Sequence, residues 1–247
     1  MAALRMIDTF SGIGGFSLAA RWLGGIETVQ FVEREPFCQR ILAKHWPSVP
    51  IHDDIRTFSP DRGAADVVVG GFPCQDLSKA GARRGLGHDT RSGLFYQLLR
   101  VVCLVRPRFI VLENVADILD GHLGTVVGEL AANGYDCEWA CLSAADLGAW
   151  HVRDRWWMVA YPSSYRIQGH LPDAVSWQRG LTDVSFSRGV ADLTNGPPGS
   201  SPRFRGDPDG VPAWVDRLKA LGNAVVPQVA MVPLARVLEL AGSMGGR

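Results

Sequence analysis

Three short segments carry side chains able to do covalent or recognition chemistry. The first is Gly70-Gly71-Phe72-Pro73-Cys74-Gln75, directly after the apolar run Val67 to Val69. A cysteine that follows such a buried strand lies on the ligand side of a parallel sheet. A thiol of ordinary pKa, roughly 8.5, is only a few per cent thiolate at neutral pH, yet it is strongly nucleophilic, and a nearby cation or helix start raises that fraction. Taken alone, the same residue reads first as a buried structural cysteine. The second segment is Glu113-Asn114-Val115, at the end of the apolar run Phe109 to Leu112. A glutamate at the end of a buried strand is desolvated, so its carboxyl tends to keep its proton; a helix cap or a salt-bridged acid is the plainer alternative. The third is Arg153-Asp154-Arg155. Two arginines spaced by two suit contact with phosphate or a base carbonyl, or simply guard an edge strand.

A second set of residues suits a nucleoside. Asp8-Thr9-Phe10-Ser11-Gly12-Ile13-Gly14-Gly15 runs from strand through a glycine-rich turn into a helix, where free amides favour a negative group. The glycines fall at 12, 14 and 15, which does not meet the dinucleotide pattern Gly-x-Gly-x-x-Gly. Glu33 stands at the end of the second strand, about twenty residues on, where an acid accepts hydrogen bonds from ribose hydroxyls. Glu35 reads as solvated. Asp53 and Asp54 follow a short third strand expected after the Pro36 to His45 helix, where an acid can accept from an adenine amino group. Each acid alone is an ordinary loop residue; three strand-end features in this order point to a nucleoside pocket.

The elements that must position these groups alternate. Strands are predicted over Leu4 to Phe10, Glu27 to Val32, Asp66 to Gly70 and Phe109 to Leu112, with a final pair over Tyr135 to Leu142 and Trp156 to Tyr161. Helices are predicted over Gly15 to Leu23, Pro36 to His45, Gly93 to Val105 and Leu123 to Asn133, then Trp214 to Leu221 and Val225 to Leu240. This alternation implies an α/β fold, a mostly parallel sheet with helices on both faces. From Pro162 to Pro212 the composition changes: seven prolines, seven glycines, no glutamate and no lysine. Such a stretch is too polar and interrupted to build its own core. The expected division is therefore residues 1–161 and 213–247 as one catalytic domain, with 162–212 as a small loop-rich region.

The chain of 247 residues, 47% hydrophobic and 20% charged, has enough apolar surface for a core, which excludes wholesale disorder. Twenty-five basic residues balance 25 acidic ones, so only a local patch could attract nucleic acid. One exists: from Asp76 to Arg108 there are seven basic residues and two acids. The five cysteines form no Cys-x-x-Cys pair and have no histidine at ligand spacing, so neither a disulfide framework nor a metal site is expected. Cys38, Cys103, Cys137 and Cys141 read as small buried hydrophobes. No apolar run approaches the roughly 20 residues of a membrane span, and no signal-peptide pattern opens the chain, so a cytoplasmic protein is expected.

The ordered motifs resemble those of the DNA (cytosine-5)-methyltransferase family. Asp8 to Gly15 resembles its first motif, Phe31-Val32-Glu33 its second and Asp54-Ile55 its third. Gly71-Phe72-Pro73-Cys74-Gln75 resembles its catalytic loop, and Glu113-Asn114-Val115 and Arg153-Asp154-Arg155 the motifs after it. Gly222-Asn223-Ala224-Val225-Val226-Pro227 resembles the last, which returns to the cofactor pocket. The pair Pro-Cys-Gln and Glu-Asn-Val, about forty residues apart after successive strands, is the specific part.

The resemblance implies the Rossmann-like fold of S-adenosylmethionine-dependent methyltransferases and transfer of a methyl group to C5 of a cytosine flipped out of double-stranded DNA. It implies a catalytic set of Cys74, Glu113, Arg153 and Arg155, with Cys74 attacking C6. It places S-adenosylmethionine against Asp8, Phe10, Ser11, Gly12, Ile13, Gly14, Gly15, Glu33, Arg34, Asp54, Ile55, Gly71, Pro73, Asn223 and Ala224. It places DNA against Gln75, Ser78, Lys79, Arg83, Arg84 and Arg91. A bacterial or phage-encoded restriction-modification context follows from it, without membrane or metal, and with a partner subunit or restriction nuclease left open. The chain departs from the family pattern in three ways. His151 stands where a glutamine is expected, and no glutamate occurs between Glu138 and Glu239. The recognition region is also short. A paralogue that binds cofactor or a partner without turnover and an RNA cytosine methyltransferase are the alternatives; a flavin or nicotinamide oxidoreductase conflicts with the glycine spacing.

Overall fold

A computed structural model describes residues 2–73, 93–147, 149, 151–165 and 222–244. In it β1 (Leu4–Thr9), β2 (Ile26–Val32), β3 (Ile51–His52), β4 (Val67–Gly71), β5 (Phe109–Val115), β6 (Tyr135–Ser143) and β7 (Asp154–Pro162) form one sheet in the order β3-β2-β1-β4-β5-β7-β6. The first five strands run parallel, and β7 is antiparallel to both β5 and β6. The chain steps outward from β1 to β3, then returns to place β4 on the other side of β1. That reversal opens a crevice at the carboxyl ends of the central strands, where such sheets bind ligands.

Five helices connect or cover the described strands: α1 (Gly15–Leu23), α2 (Pro36–His45), α3 (Leu94–Val105), α4 (Leu123–Ala132) and α5 (Pro227–Met244). In a strand, alternate side chains face opposite sides, and the central strands use both sides for the core. Met6, Val67, Val69, Phe109, Val111, Trp157 and Val159 pack on one face against Phe16, Ala19 and Ala20 of α1 and Val229, Val232 and Leu234 of α5. Ile7, Val68, Ile110, Leu112, Trp156 and Met158 pack on the other against Phe95, Leu98 and Val102 of α3 and Val126 and Leu130 of α4. Burial on both faces is why Val67–Val69 is an unbroken apolar run rather than an alternating one.

Two expectations are corrected, on the end of one strand and on two cysteines. The strand predicted to stop at Leu112 continues through Glu113-Asn114-Val115, because antiparallel pairing with Trp157, Trp156 and Arg155 supplies ladder partners there. Cys103 and Cys141 are exposed rather than buried. Cys103 falls off the buried stripe of α3, and Cys141 takes the outward face of β6 between the buried Ala140 and Leu142. The helix predicted over Trp214 to Leu221, and nearly all of the loop-rich region 162–212, lie outside the described residues. Among the described residues no helix is long and apolar enough to cross a membrane.

α5 is also fastened to the sheet by an ion pair. Arg236 Nε donates to Glu138 Oε1 at 2.7 Å, and the Glu138 side chain is 3% exposed. Burial pushes the Glu138 carboxyl up, and Arg236 pulls it back. Removing one partner of such a pair strands a buried charge, which costs roughly 3–5 kcal/mol. Arg236→Ala should therefore lower stability by about 3 kcal/mol in guanidinium titration, and a change below about 1 kcal/mol would mean the pair acts as an exposed one.

Candidate active site

β1 ends in a turn that bends sharply at Phe10, whose φ of 52° lies in the left-handed region rarely used by bulky residues. Ser11 Oγ donates to the Asp8 carbonyl at 2.6 Å, and Gly14 N donates to the Ser11 carbonyl at 2.9 Å. Gly12 N is thereby turned toward β2 and donates to Glu33 Oε2 at 2.6 Å. Glu35 N donates to the other oxygen, Oε1, at 2.7 Å. Burial pushes the Glu33 carboxyl up, while the amides of Glu35 and Gly12 pull it back. Each carboxylate oxygen has two acceptor sites, so Glu33 keeps capacity for further donors. Next to β3, Asp54 Oδ1 accepts from Arg56 N at 2.9 Å. Its neighbour Asp53 has a side chain 83% exposed, and only Asp54 of the two lines the cleft.

On the other side of the crevice, β4 and β5 bring Gly71 beside Glu113. A Cβ at Gly71 would stand 2.9 Å from Glu113 Oε2, so the lack of a side chain there is what lets the carboxyl lie across the strand. Arg155 Nε is 3.0 Å from Glu113 Oε1. Burial raises the Glu113 carboxyl, as the strand-end position predicts, and Arg155 and then Arg153 oppose that rise. Asn114 is buried; its Nδ2 donates to the Phe72 carbonyl at 3.3 Å and its Oδ1 accepts from Val115 N at 2.9 Å. It ties the segment leading to Pro73 to the Glu113 strand. The last motif closes this side of the sheet: a Cβ on Gly15 would stand 2.5 Å from the Val225 carbonyl, so only glycine permits that approach.

These groups line one cleft of about 690 Å³, within the usual range for a small-molecule site. Phe10, Gly12, Glu33, Arg34, Asp54, Ile55, Gly71, Pro73, Glu113, Arg153, Arg155 and Asn223 all border it. Asp8, Ser11, Ile13, Gly14, Gly15 and Ala224 do not; the contacts above show Ser11 and Gly15 building its wall. Cys74, Gln75, Ser78, Lys79, Arg83, Arg84 and Arg91 lie outside the described residues. Several lining residues were not read from the sequence, among them Phe37 and Cys38. The available signal was Pro36, which starts α2 immediately after the Glu33 strand end and so sets that helix's first turn on the cleft. Among the described residues no cluster of three or more histidine, cysteine or acidic side chains could hold a metal.

The cleft combines the buried Glu33 carboxyl at a strand end, an acceptor at Asp54 on the β3 side and apolar surface from Phe10, Ile55 and Phe72. The fold is that of the S-adenosylmethionine-dependent methyltransferases. Two solved structures share it: the Dnmt2 methyltransferase of S. pombe, at 24% identity with a TM-score of 0.55 over 68% of this chain and 52% of that one, and a Spodoptera frugiperda DNMT2 mutant, at 18% with 0.57 over 69% and 54%. The family profile described as C-5 cytosine-specific DNA methylase matches residues 4–187. The chain belongs to that family. Among similar curated proteins are the type II methyltransferase M.CviJI of Paramecium bursaria Chlorella virus IL3A, 32% identical over 66% of this chain and 44% of its own length, and M1.HphI of Haemophilus parahaemolyticus, 36% identical over 62% and 44%. The matched region thus spans less than half the length of these relatives.

Asp8 offers a test of the wall. It is fully buried; Ser17 Oγ donates to its Oδ2 at 2.6 Å, Thr28 Oγ1 donates to Ser17 Oγ at 2.8 Å, and Oδ1 has no hydrogen-bond partner among the described residues. Burial pushes its carboxyl from 3.8 up to about 7, with Ser17 opposing and Glu33 adding to the rise. The native state thus holds this proton in a pH range where the unfolded chain has released it. Its stabilisation is complete below about pH 3.8 and is lost as pH rises through about 7. Asp8→Asn keeps an acceptor for Ser17 and cannot ionise. Between pH 4 and pH 7, wild-type stability should fall relative to this variant by on the order of 4 kcal/mol in chemical denaturation. Parallel pH profiles would refute the buried protonated acid.

Proposed function

We propose that this chain is a DNA cytosine-5 methyltransferase that uses S-adenosylmethionine and a covalent Cys74 adduct. The observation that carries the reading is the meeting of two half-sites in one cleft. Glu33 and Gly12 stand on the β1–β2 side, and Pro73, next in sequence to Cys74, stands beside Glu113 and Arg155 on the β4–β5 side. A nucleoside-binding half and a half built to polarise a base are what methyl transfer to a pyrimidine requires. Membership of the C-5 cytosine-specific DNA methylase family supports the same reading.

When bound, S-adenosylmethionine supplies an electrophilic methyl group. Glu33 would hold its ribose, with Asp54 and Phe10 near its adenine and Gly12 and Asn223 near its methionyl end. The chain's own residues activate the base. A cytosine in a duplex hides its C5 and C6 in the stack, so it must first be flipped out. The Cys74 thiolate adds to C6, forming a C–S bond. Glu113, whose carboxyl burial raises against the pull of Arg155, would share a proton with N3, so the ring accepts the electron pair and C5 becomes nucleophilic. Arg155 orients the Glu113 carboxyl through Oε1, which leaves Oε2 for the base edge. Once C5 carries the methyl group, loss of its proton restores the double bond and expels Cys74 as thiolate. The basic residues between Lys79 and Arg91 would contact the DNA backbone, and residues 162–212 would supply recognition. A bacterial or viral origin agrees with the sources of the relatives M.CviJI and M1.HphI.

Cys74→Ala should abolish methyl transfer to duplex DNA while retaining cofactor binding by calorimetry. A duplex containing 5-fluorocytosine should trap the wild-type chain as an adduct that survives denaturing electrophoresis, because fluorine at C5 blocks the final proton loss. Cofactor binding without any adduct, or turnover by the Cys74→Ala chain, would overturn the reading.

A further inference from the structure

Arg153 and Arg155 are two residues apart and line the same cleft, but their guanidinium groups hold different things. Arg155 meets the Glu113 carboxylate. Arg153 reaches across to the far end of the sequence: Nη1 donates to the Gly222 carbonyl at 2.9 Å and Nη2 to the Ala224 carbonyl at 2.8 Å. These two carbonyls flank Asn223, which lines the cleft. The opposite side of the same segment rests on the glycine turn, where the Val225 carbonyl approaches Gly15 too closely for any Cβ. The segment is therefore gripped from two sides, and its anchor on the β7 side is a rigid two-pronged donor. A lysine is a point donor and lacks the planar fork whose two ends meet the two carbonyls here.

Resting on the methyltransferase reading above, we propose that Arg153 is a positioning residue for the cofactor end of the cleft. It acts through Asn223, whereas Arg155 serves the carboxyl on the base side. The pair thus divides its work: one arginine sets the wall against which the cofactor binds, the other sets the group that polarises the base.

The test is calorimetric binding of S-adenosylhomocysteine to the full chain without DNA. Arg153→Ala should weaken binding roughly tenfold, the scale of losing hydrogen bonds from a charged donor, and Arg153→Lys should fall between it and wild type. Thermal melts establish that each variant is folded, and Arg153→Lys carries the comparison if Arg153→Ala does not fold. The decisive readout is coupling: the Arg153→Ala/Asn223→Ala double variant should bind no more weakly than Asn223→Ala alone. Wild-type affinity in Arg153→Ala, or losses from Arg153 and Asn223 that multiply independently, would overturn the proposal while leaving the methyltransferase reading intact. Failure of the wild-type chain to bind S-adenosylhomocysteine would overturn both.

Discussion

A carboxyl removed from water must be given hydrogen-bond donors, a cation or a proton, and this site is organised around three that are. Asp8, Glu33 and Glu113 each sit at or near the carboxyl end of a strand, and burial raises all three. The fold compensates each differently. Asp8 receives the hydroxyl of Ser17. Glu33 receives the amides of Gly12 and Glu35, which locks the glycine turn to the second strand. Glu113 receives Arg155 from the antiparallel strand beside it. The same desolvation that would destabilise a bare charge is offset by partners that give each acid a fixed direction.

Holding those groups still is the task of the two-sided core. Strand ends can present chemistry to a crevice only if the strands cannot slide, and here both faces of β1, β4, β5 and β7 are packed by helices. The return of the chain matters as much. α5 lies beside α1, and the segment before it is seated against Gly15. Residues more than two hundred positions apart thereby share a wall, and the Arg236–Glu138 pair fastens that return to the edge of the sheet.

Most of the secondary structure was legible because periodicity reports burial, and burial here follows a simple layered plan. Where the reading failed, the cause was a neighbour. β5 runs on through Glu113 because β7 pairs with it; no local pattern in Glu-Asn-Val announces that. Cys103 and Cys141 were read as buried from residue type alone, whereas their exposure depends on which side of α3 and which face of β6 they occupy. Asn114 was visible as part of a motif, but its task, holding the Phe72 carbonyl, is a contact across 42 positions in sequence.

By itself the sequence determined the class of fold, the order of the strand-end motifs and the residue types available to react, because these depend on local pattern and chemical identity. Only the tertiary structure decided which acids share a cleft, which merely support it, and how two arginines one residue removed from each other are divided between Glu113 and the segment carrying Asn223. Those assignments depend on distances between residues remote in sequence, and such distances are set by the packing of the sheet and its helices rather than by any short stretch of chain.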